Sequence, residues 1–340
     1  MDAIILAGGQ GLRLRPLTLK TPKPLVPVAN EPFLATLLSR LAKAGVRRVT
    51  LSACFEAKAL RQSLAGFRRF GMALRVIDER QPLGTGGAIR FAWWDPSAPT
   101  LALNGDALSD WDFRLLLAEH RRQRAMATLW VRPVEDVSRF GVVEHDAQGR
   151  VQRFVEKPKP GEAKGRDINA GAYVLEPAVR ALIPPGRSVS IERETFPACL
   201  TQGLKTVACG CPASTYWRDI GNPTEYLAAN MDALDQALPG LMRGRAAAWQ
   251  KPGRGKALLA PGCRIAKDAL VARAALAKGC SVASGASVKD SVLWAGCKIG
   301  EGAVVEGALL GRRVLVGAFA TVRPGAVLGD GAKVPAYSKI

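Results

Sequence analysis

The chain has 340 residues, 48% hydrophobic and 23% charged, which is enough apolar material for one large core or two ordinary ones and argues against wholesale disorder. Its net charge is +19, and residues 241–340 alone hold 16 Lys and Arg against 5 Asp and Glu. Such a field draws anions, but the basic residues are scattered and no nucleic-acid motif accompanies them, so small polyanionic substrates account for the charge without nucleic acid.

From the N-terminus, the apolar run Ala3–Ala7 is too short for a signal-peptide core, and no apolar stretch approaches the roughly 20 residues of a membrane span. A soluble, cytoplasmic protein with no membrane partner is expected. Ala3–Ala7, Val46–Ala53, Thr100–Leu103 and Ala127–Arg132 read as strands. Phe33–Ala44 reads as a helix with Leu34, Leu37, Leu38 and Leu41 on one face, and Leu115–Arg124 as another. This alternation predicts a Rossmann-like α/β domain with a mostly parallel sheet, whose ligands bind beyond the C-terminal strand ends. Residues 238–258, rich in Gly, Pro and Arg, read as a linker after a first domain spanning 1–237.

The remainder, 259–340, is a repeat. From Ile265, aliphatic residues recur at Leu270, Leu276, Val282, Val288, Leu293, Ile299, Val305, Leu310, Val316, Val322, Leu328, Val334 and Ile340, in steps of five or six. A helix cannot hold this stripe on one face, because six residues turn it by about 600°. Three short strands per triangular coil can, which predicts a parallel β-helix.

The candidate chemistry is concentrated in a few segments. Two histidines, His120 and His145, nearly rule out a histidine metal cage and leave few partners for a Ser-His or Cys-His pair. Seven irregularly spaced cysteines read as free thiols. The segment LAGGQGLRLRPLTLKTPKPLVPVANEP, Leu6 to Pro32, follows a strand with Gly8, Gly9 and Gly11, where close backbone approach and successive N–H groups suit anionic oxygens. Arg13, Arg15 and Lys23 follow in a stretch stiffened by Pro16, Pro22 and Pro24.

This segment resembles the signature of the nucleoside-diphosphate-sugar pyrophosphorylases, with Leu12 where that family usually has Thr. The resemblance continues through Pro82-Leu83-Gly84-Thr85-Gly86-Gly87-Ala88, Leu103-Asn104-Gly105-Asp106, Phe140-Gly141-Val142-Val143, Phe154-Val155-Glu156-Lys157-Pro158, Asn169-Ala170-Gly171 and Tyr216–Pro223. It implies a left-handed β-helix at the C-terminus. It also implies attack by a sugar 1-phosphate on the α-phosphorus of a nucleoside triphosphate, with release of pyrophosphate. Two polyanions must meet in such a step, so positioning and electrostatics carry most of the catalysis and no protein nucleophile is needed.

By the same resemblance, Arg13 and Lys23 are catalytic. Leu6, Ala7, Gly8, Gly9, Gly11, Glu79, Pro82, Gly84 and Thr85 bind the nucleotide. Asn104, Gly141, Glu156, Lys157 and Asn169 meet the sugar phosphate, and Asp106 and Asp219 hold Mg2+. The appended β-helix points within the family to mannose-1-phosphate guanylyltransferases. Glu79 agrees with GTP, since a carboxylate accepts both the N1–H and N2–H of guanine but meets one donor on uracil or thymine. UTP or dTTP with glucose 1-phosphate, GTP with a heptose or cyclitol 1-phosphate, and an inactive regulatory subunit stay open. A second, acyltransferase activity in the β-helix lacks its histidine base, since residues 241–340 contain none. The β-helix's flat faces favour a homo-oligomer.

Overall fold

The computed structural model describes residues 1–212, 214–235 and 257–340, together with the backbone of 248–250. Most of the expected linker, 238–258, lies outside the described residues. No helix among the described residues is long and apolar enough to cross a membrane.

The chain packs as two compact units that do not follow sequence order. The first comprises Met1–Gly9, Leu37–Ala107 and Trp111–Thr215; the second comprises Gln10–Thr36, Leu108–Asp110 and Tyr216–Ile340. The first unit holds the α/β sheet. Strands β1 (Asp2–Leu6), β2 (Arg48–Ala53), β3 (Ala73–Asp78) and β4 (Thr100–Asn104) run parallel in the spatial order β4-β1-β2-β3. Ala3, Ile4 and Ile5 are at most 1% exposed, as a central parallel strand covered on both faces requires.

The sheet continues with β5 (Ala127–Pro133), β6 (Gly141–His145), β7 (Val151–Glu156), β8 (Asp167–Leu175) and β9 (Thr206–Gly210). β8 runs antiparallel to β4 and β5, β6 antiparallel to β7, and β9 parallel to β5. Leu6 lies level with both Ser52 and Asn104, so the segments after β1, β2 and β4 leave the sheet at one end. Ile4, Ala102, Leu129, Tyr173 and Phe196 share the core beneath them. Burying each large side chain there stabilises by about 1.5–3 kcal/mol.

Helix α1 (Phe33–Lys43) buries the expected leucine face and ends with Arg40 and Lys43, the cations its C-terminal dipole favours. Helix α2 (Gly84–Ala92) begins within the glycine-rich loop after β3. Helix α3 (Phe113–Gln123) is capped by Asp112, and α4 (Pro223–Leu234) by Asn222, whose Oδ1 accepts from Glu225 N–H at 2.9 Å.

In the second unit, three stacks of short parallel strands form the β-helix from Ala257 onward. Val271, Val288, Val305 and Val322 stack in one column at 17-residue spacing. The last coil is one residue longer, pairing Leu310 with Leu328 and Val316 with Val334. Three steps of five or six residues make each coil, as the sequence predicts. The inward residue of the first coil is Val271, fully buried, where Leu270 was expected. Leu270 pairs with Ser287 instead, one position off the aliphatic column. Ile340, the last aliphatic position of the predicted stripe, is 44% exposed.

Candidate active site

In the first unit, the glycine-rich turn continues directly from β1. Ala7 N–H donates to Ser52 O at 2.7 Å, so the chain stays attached to β2 one residue beyond the strand. Gly8 then passes beside Cys54 and Glu79, and Gly9 has open space around it. Glu79 is 6% exposed, not a solvated loop charge. Ser52 Oγ donates to its Oε1 at 2.7 Å and Leu83 N–H to its Oε2 at 3.2 Å. Glu79 also borders an open cleft with Leu83, Arg90, Phe91 and Arg180.

Pro82 is exposed at the rim of this loop, and the backbone of Gly84 presses against Val189. The Thr85 side chain is committed to that neighbouring segment. Its Oγ1 donates to Glu192 Oε2 at 2.8 Å and accepts from Ile191 N–H at 2.8 Å.

The β4 turn is set by Gly105. Its N–H donates to Leu6 O at 2.9 Å, and a Cβ there would fall 2.3 Å from the same oxygen. Only glycine allows that approach, which places Asp106 just beyond the ends of β1 and β4. Asn104 Oδ1 is buried without a hydrogen bond among the described residues, while its Nδ2 faces Gly171. Such an acceptor is suited to a ligand hydroxyl.

Asn169 is shaped by its own strand: Nδ2 donates to Tyr173 Oη at 2.7 Å and Oδ1 accepts from Gly171 N–H at 3.0 Å. Gly141 lies under the Glu156 carboxylate. Burial, and then the charge of Glu192, raise Glu156 above the ordinary carboxylate range; Lys157 and Arg193 pull the other way. Tyr173, fully buried, is held neutral by burial and by Glu192, with Asp106 and Glu156 adding smaller repulsions. Lys157 is exposed and takes φ +50°, a left-handed backbone rare for lysine and common at functional turns. Glu192 lies beside Thr85, which donates to it at 2.8 Å, and its charge raises Glu156 and Tyr173, yet it stands in no recognisable motif.

The second unit carries the rest of the signature. Gly11 takes φ +61° and its carbonyl accepts from Thr18 Oγ1 at 2.7 Å. This closes a turn that exposes Arg13 and buries Leu14. Leu12, in place of the family's Thr, is 57% exposed. Lys23 opens a tight turn, Lys23–Leu25, and is only 9% exposed.

Arg13 and Asp219 converge on Gly221, where a Cβ would lie 2.6 Å from Arg13 Nη2 and 2.9 Å from Asp219 Oδ1. Next to Asp219, Arg218 pairs with Glu225 at 2.5 Å and Asp232 at 3.0 Å, tying the short strand Trp217–Asp219 to α4. Arg218, inside the Tyr216–Pro223 motif, thus supports Asp219 through α4.

No group of three or more His, Cys, Asp or Glu gathers as a metal cluster among the described residues. The cysteines are free thiols as expected. Burial pushes Cys199 and Cys209 up to about 11, so both stay protonated and unreactive at neutral pH.

Comparison with known proteins agrees in family and in order along the chain. The nucleotidyl transferase profile matches residues 2–236, and the profile described as GMPPB C-terminal domain matches residues 254–338. A protein from Mycobacterium tuberculosis named mannose-1-phosphate guanylyltransferase is 38% identical over 80% of this chain and 73% of its own length. A Danio rerio protein named mannose-1-phosphate guanylyltransferase catalytic subunit beta is 38% identical over 67% of this chain, an alignment spanning 63% of that relative. A solved chain from Bacillus anthracis, described as a suspected glucose-1-phosphate thymidylyltransferase, superposes with a TM-score of 0.60 at 24% identity, covering 68% of this chain and 94% of that one. That likeness is one of fold.

Proposed function

The chain belongs to the nucleotidyl transferase family, and from that premise we propose that it joins GTP to mannose 1-phosphate, forming GDP-mannose and pyrophosphate. The reading is supported by the names of its relatives and by one observation above all: Glu79 is a buried carboxylate beside the glycine-rich turn. Each of its oxygens accepts one protein hydrogen bond and keeps a lone pair for the N1–H and N2–H of guanine. Leu6, Ala7, Gly8, Gly9, Gly11, Pro82, Gly84 and Thr85 are the proposed nucleotide contacts, with Thr85 acting through its backbone.

Arg13 and Lys23 are the proposed cations for the reacting phosphates. Asn104, Gly141, Glu156, Lys157 and Asn169 are proposed for the sugar phosphate, where the Asn104 Oδ1 acceptor and the Glu156 carboxylate suit hydroxyl donors. Asp106 and Asp219 are the proposed ligands of Mg2+, an ion that prefers carboxylate and other oxygen donors. Bound there, the ion would offset phosphate charge. The catalytic domain is proposed to span 1–237 and the β-helix 259–340, divisions that the two family profiles support. Phe319 and Tyr337, stacked at 5.3 Å and 48% and 74% exposed, support self-association through the β-helix. Light scattering showing a monomer at every concentration would remove that part of the proposal.

The test is pyrophosphate release with Mg2+ over a grid of GTP, UTP, dTTP, ATP and CTP against mannose, glucose, N-acetylglucosamine and heptose 1-phosphates. GTP with mannose 1-phosphate should dominate, and Asp106→Ala and Lys23→Ala should abolish it. A different dominant pair would replace the substrate assignment. Silence from folded protein would leave the inactive-subunit reading in its place.

A further inference from the structure

The segment that carries Lys23 is attached to the β-helix at both of its ends. On the N-terminal side, Arg312 Nη1 donates to Thr21 Oγ1 at 2.6 Å. Thr21 is 2% exposed, so this is a bond sheltered from water. On the C-terminal side, Tyr226 Oη donates to Pro27 O at 2.5 Å and accepts from Trp294 Nε1 at 3.1 Å. Tyr226 and Trp294 are buried to within 2%.

The two ends are one assembly, because the Arg312 guanidinium lies 5.2 Å from the centre of the Trp294 ring. Asp330 fixes Arg312 in turn, its Oδ1 accepting from Arg312 N–H at 2.7 Å and its Oδ2 lying 3.5 Å from Nη1. Further along the same segment, Asn30 Nδ2 donates to Leu276 O at 3.0 Å, and Pro16 packs over Gly329. Lys23 sits two residues from one anchor and four from the other. The intervening chain has Pro22 and Pro24 beside it, which leaves few free torsions.

We propose that Arg312, acting with Trp294 and Tyr226, is a positioning residue for Lys23: the β-helix clamps the Thr21–Pro27 segment and so sets where that ammonium meets the reacting phosphates. The clamp gives the β-helix a part in the chemistry of the Gln10–Thr36 segment. It goes beyond, and rests on, the nucleotidyltransferase reading. Arg312 touches no substrate; it acts by holding a loop. A loop held at one end samples wrong positions, and even small misplacement of a charge that acts on the transition state lowers turnover more than binding.

Four variants and one control test this. Arg312→Ala and Thr21→Val should each lower kcat about tenfold, with KM for the sugar phosphate changed by less than about twofold. The double variant should be no worse than either single one, because both remove the same bond. Arg312→Lys, which keeps a cationic donor, should recover part of the loss. Separately, amide exchange at Thr21, Lys23, Leu25 and Val26 should quicken in Arg312→Ala and stay unchanged in Lys333→Ala, an exposed β-helix control.

Multiplying effects in the double variant would overturn the clamp. So would unaltered exchange in Arg312→Ala. If the unmodified protein makes no product, that silence counts against the reaction alone, and the exchange measurement still decides whether the clamp exists.

Discussion

At the scale of single residues, the proposed site rests on side chains held in place by their neighbours. Glu79 is buried and bonded to Ser52 and Leu83, so its position is fixed before any nucleotide arrives. Glu79→Gln replaces one acceptor oxygen by a donor. It should lower kcat/KM for GTP by about a hundredfold, because one guanine N–H then faces another donor, while UTP use changes much less. Equal losses with both nucleotides would detach Glu79 from base recognition.

Glu156 makes the complementary case. Burial first, and Glu192 second, hold its folded-state pKa above the unfolded value. A carboxylate raised on folding binds more protons in the native state, so its contribution to stability falls as pH climbs through the interval from the unfolded pKa to the folded one. At pH 7 the charged form is therefore a burden on the fold. Glu156→Gln should raise the melting temperature at pH 7 by about 2 °C, and the gain should vanish near pH 4, where the wild-type group is protonated. The same change should raise KM for the sugar phosphate, which a purely structural carboxylate would leave alone.

At the scale of elements, the turns after β1 and β4 carry the glycine-rich segment and Asp106, while Glu79 follows β3 directly. Gly105→Ala would force a Cβ to 2.3 Å from Leu6 O and break the 2.9 Å bond that joins the two strand ends. A loss of about 3 kcal/mol in denaturant unfolding is expected, with activity falling further as Asp106 is displaced. A variant with full stability would mean that the β4 turn yields freely.

The turns after β1 and β4 were largely legible in the sequence, because an apolar run ending in Gly-Gly or Asn-Gly-Asp has few other uses. The strands at 141–145, 151–156 and 167–175 were visible only as motifs, since Phe154, Glu156 and Asn169 interrupt any clean alternation. Glu192 was illegible, its partners Thr85 and Glu156 lying 107 and 36 residues away in sequence. Leu270 misled because Val271 beside it is equally aliphatic, and only the 17-residue register with Val288 decides which one points inward.

At the scale of the whole molecule, the repeat and the family were readable, but the packing of Gln10–Thr36 with the β-helix was not. That packing depends on Arg312, Trp294 and Tyr226 meeting Thr21 and Pro27, and no periodicity encodes it.

The net charge of +19 acts at this scale too. Both proposed substrates are anions, and a cationic surface raises their local concentration before any specific contact forms. Screening shortens the reach of that field, from about 10 Å at 0.1 M salt to about 3 Å at 1 M. Contacts made inside the site by a sheltered group such as Lys23 lie within either distance. Raising ionic strength across that range, with the divalent metal kept saturating, should therefore lower kcat/KM several-fold and leave kcat nearly constant. A fall confined to kcat would place the effect of the charge in the chemical step. Indifference of both constants would mean that the basic residues of 241–340 serve some other anion, and that the site draws its substrates by local contacts alone.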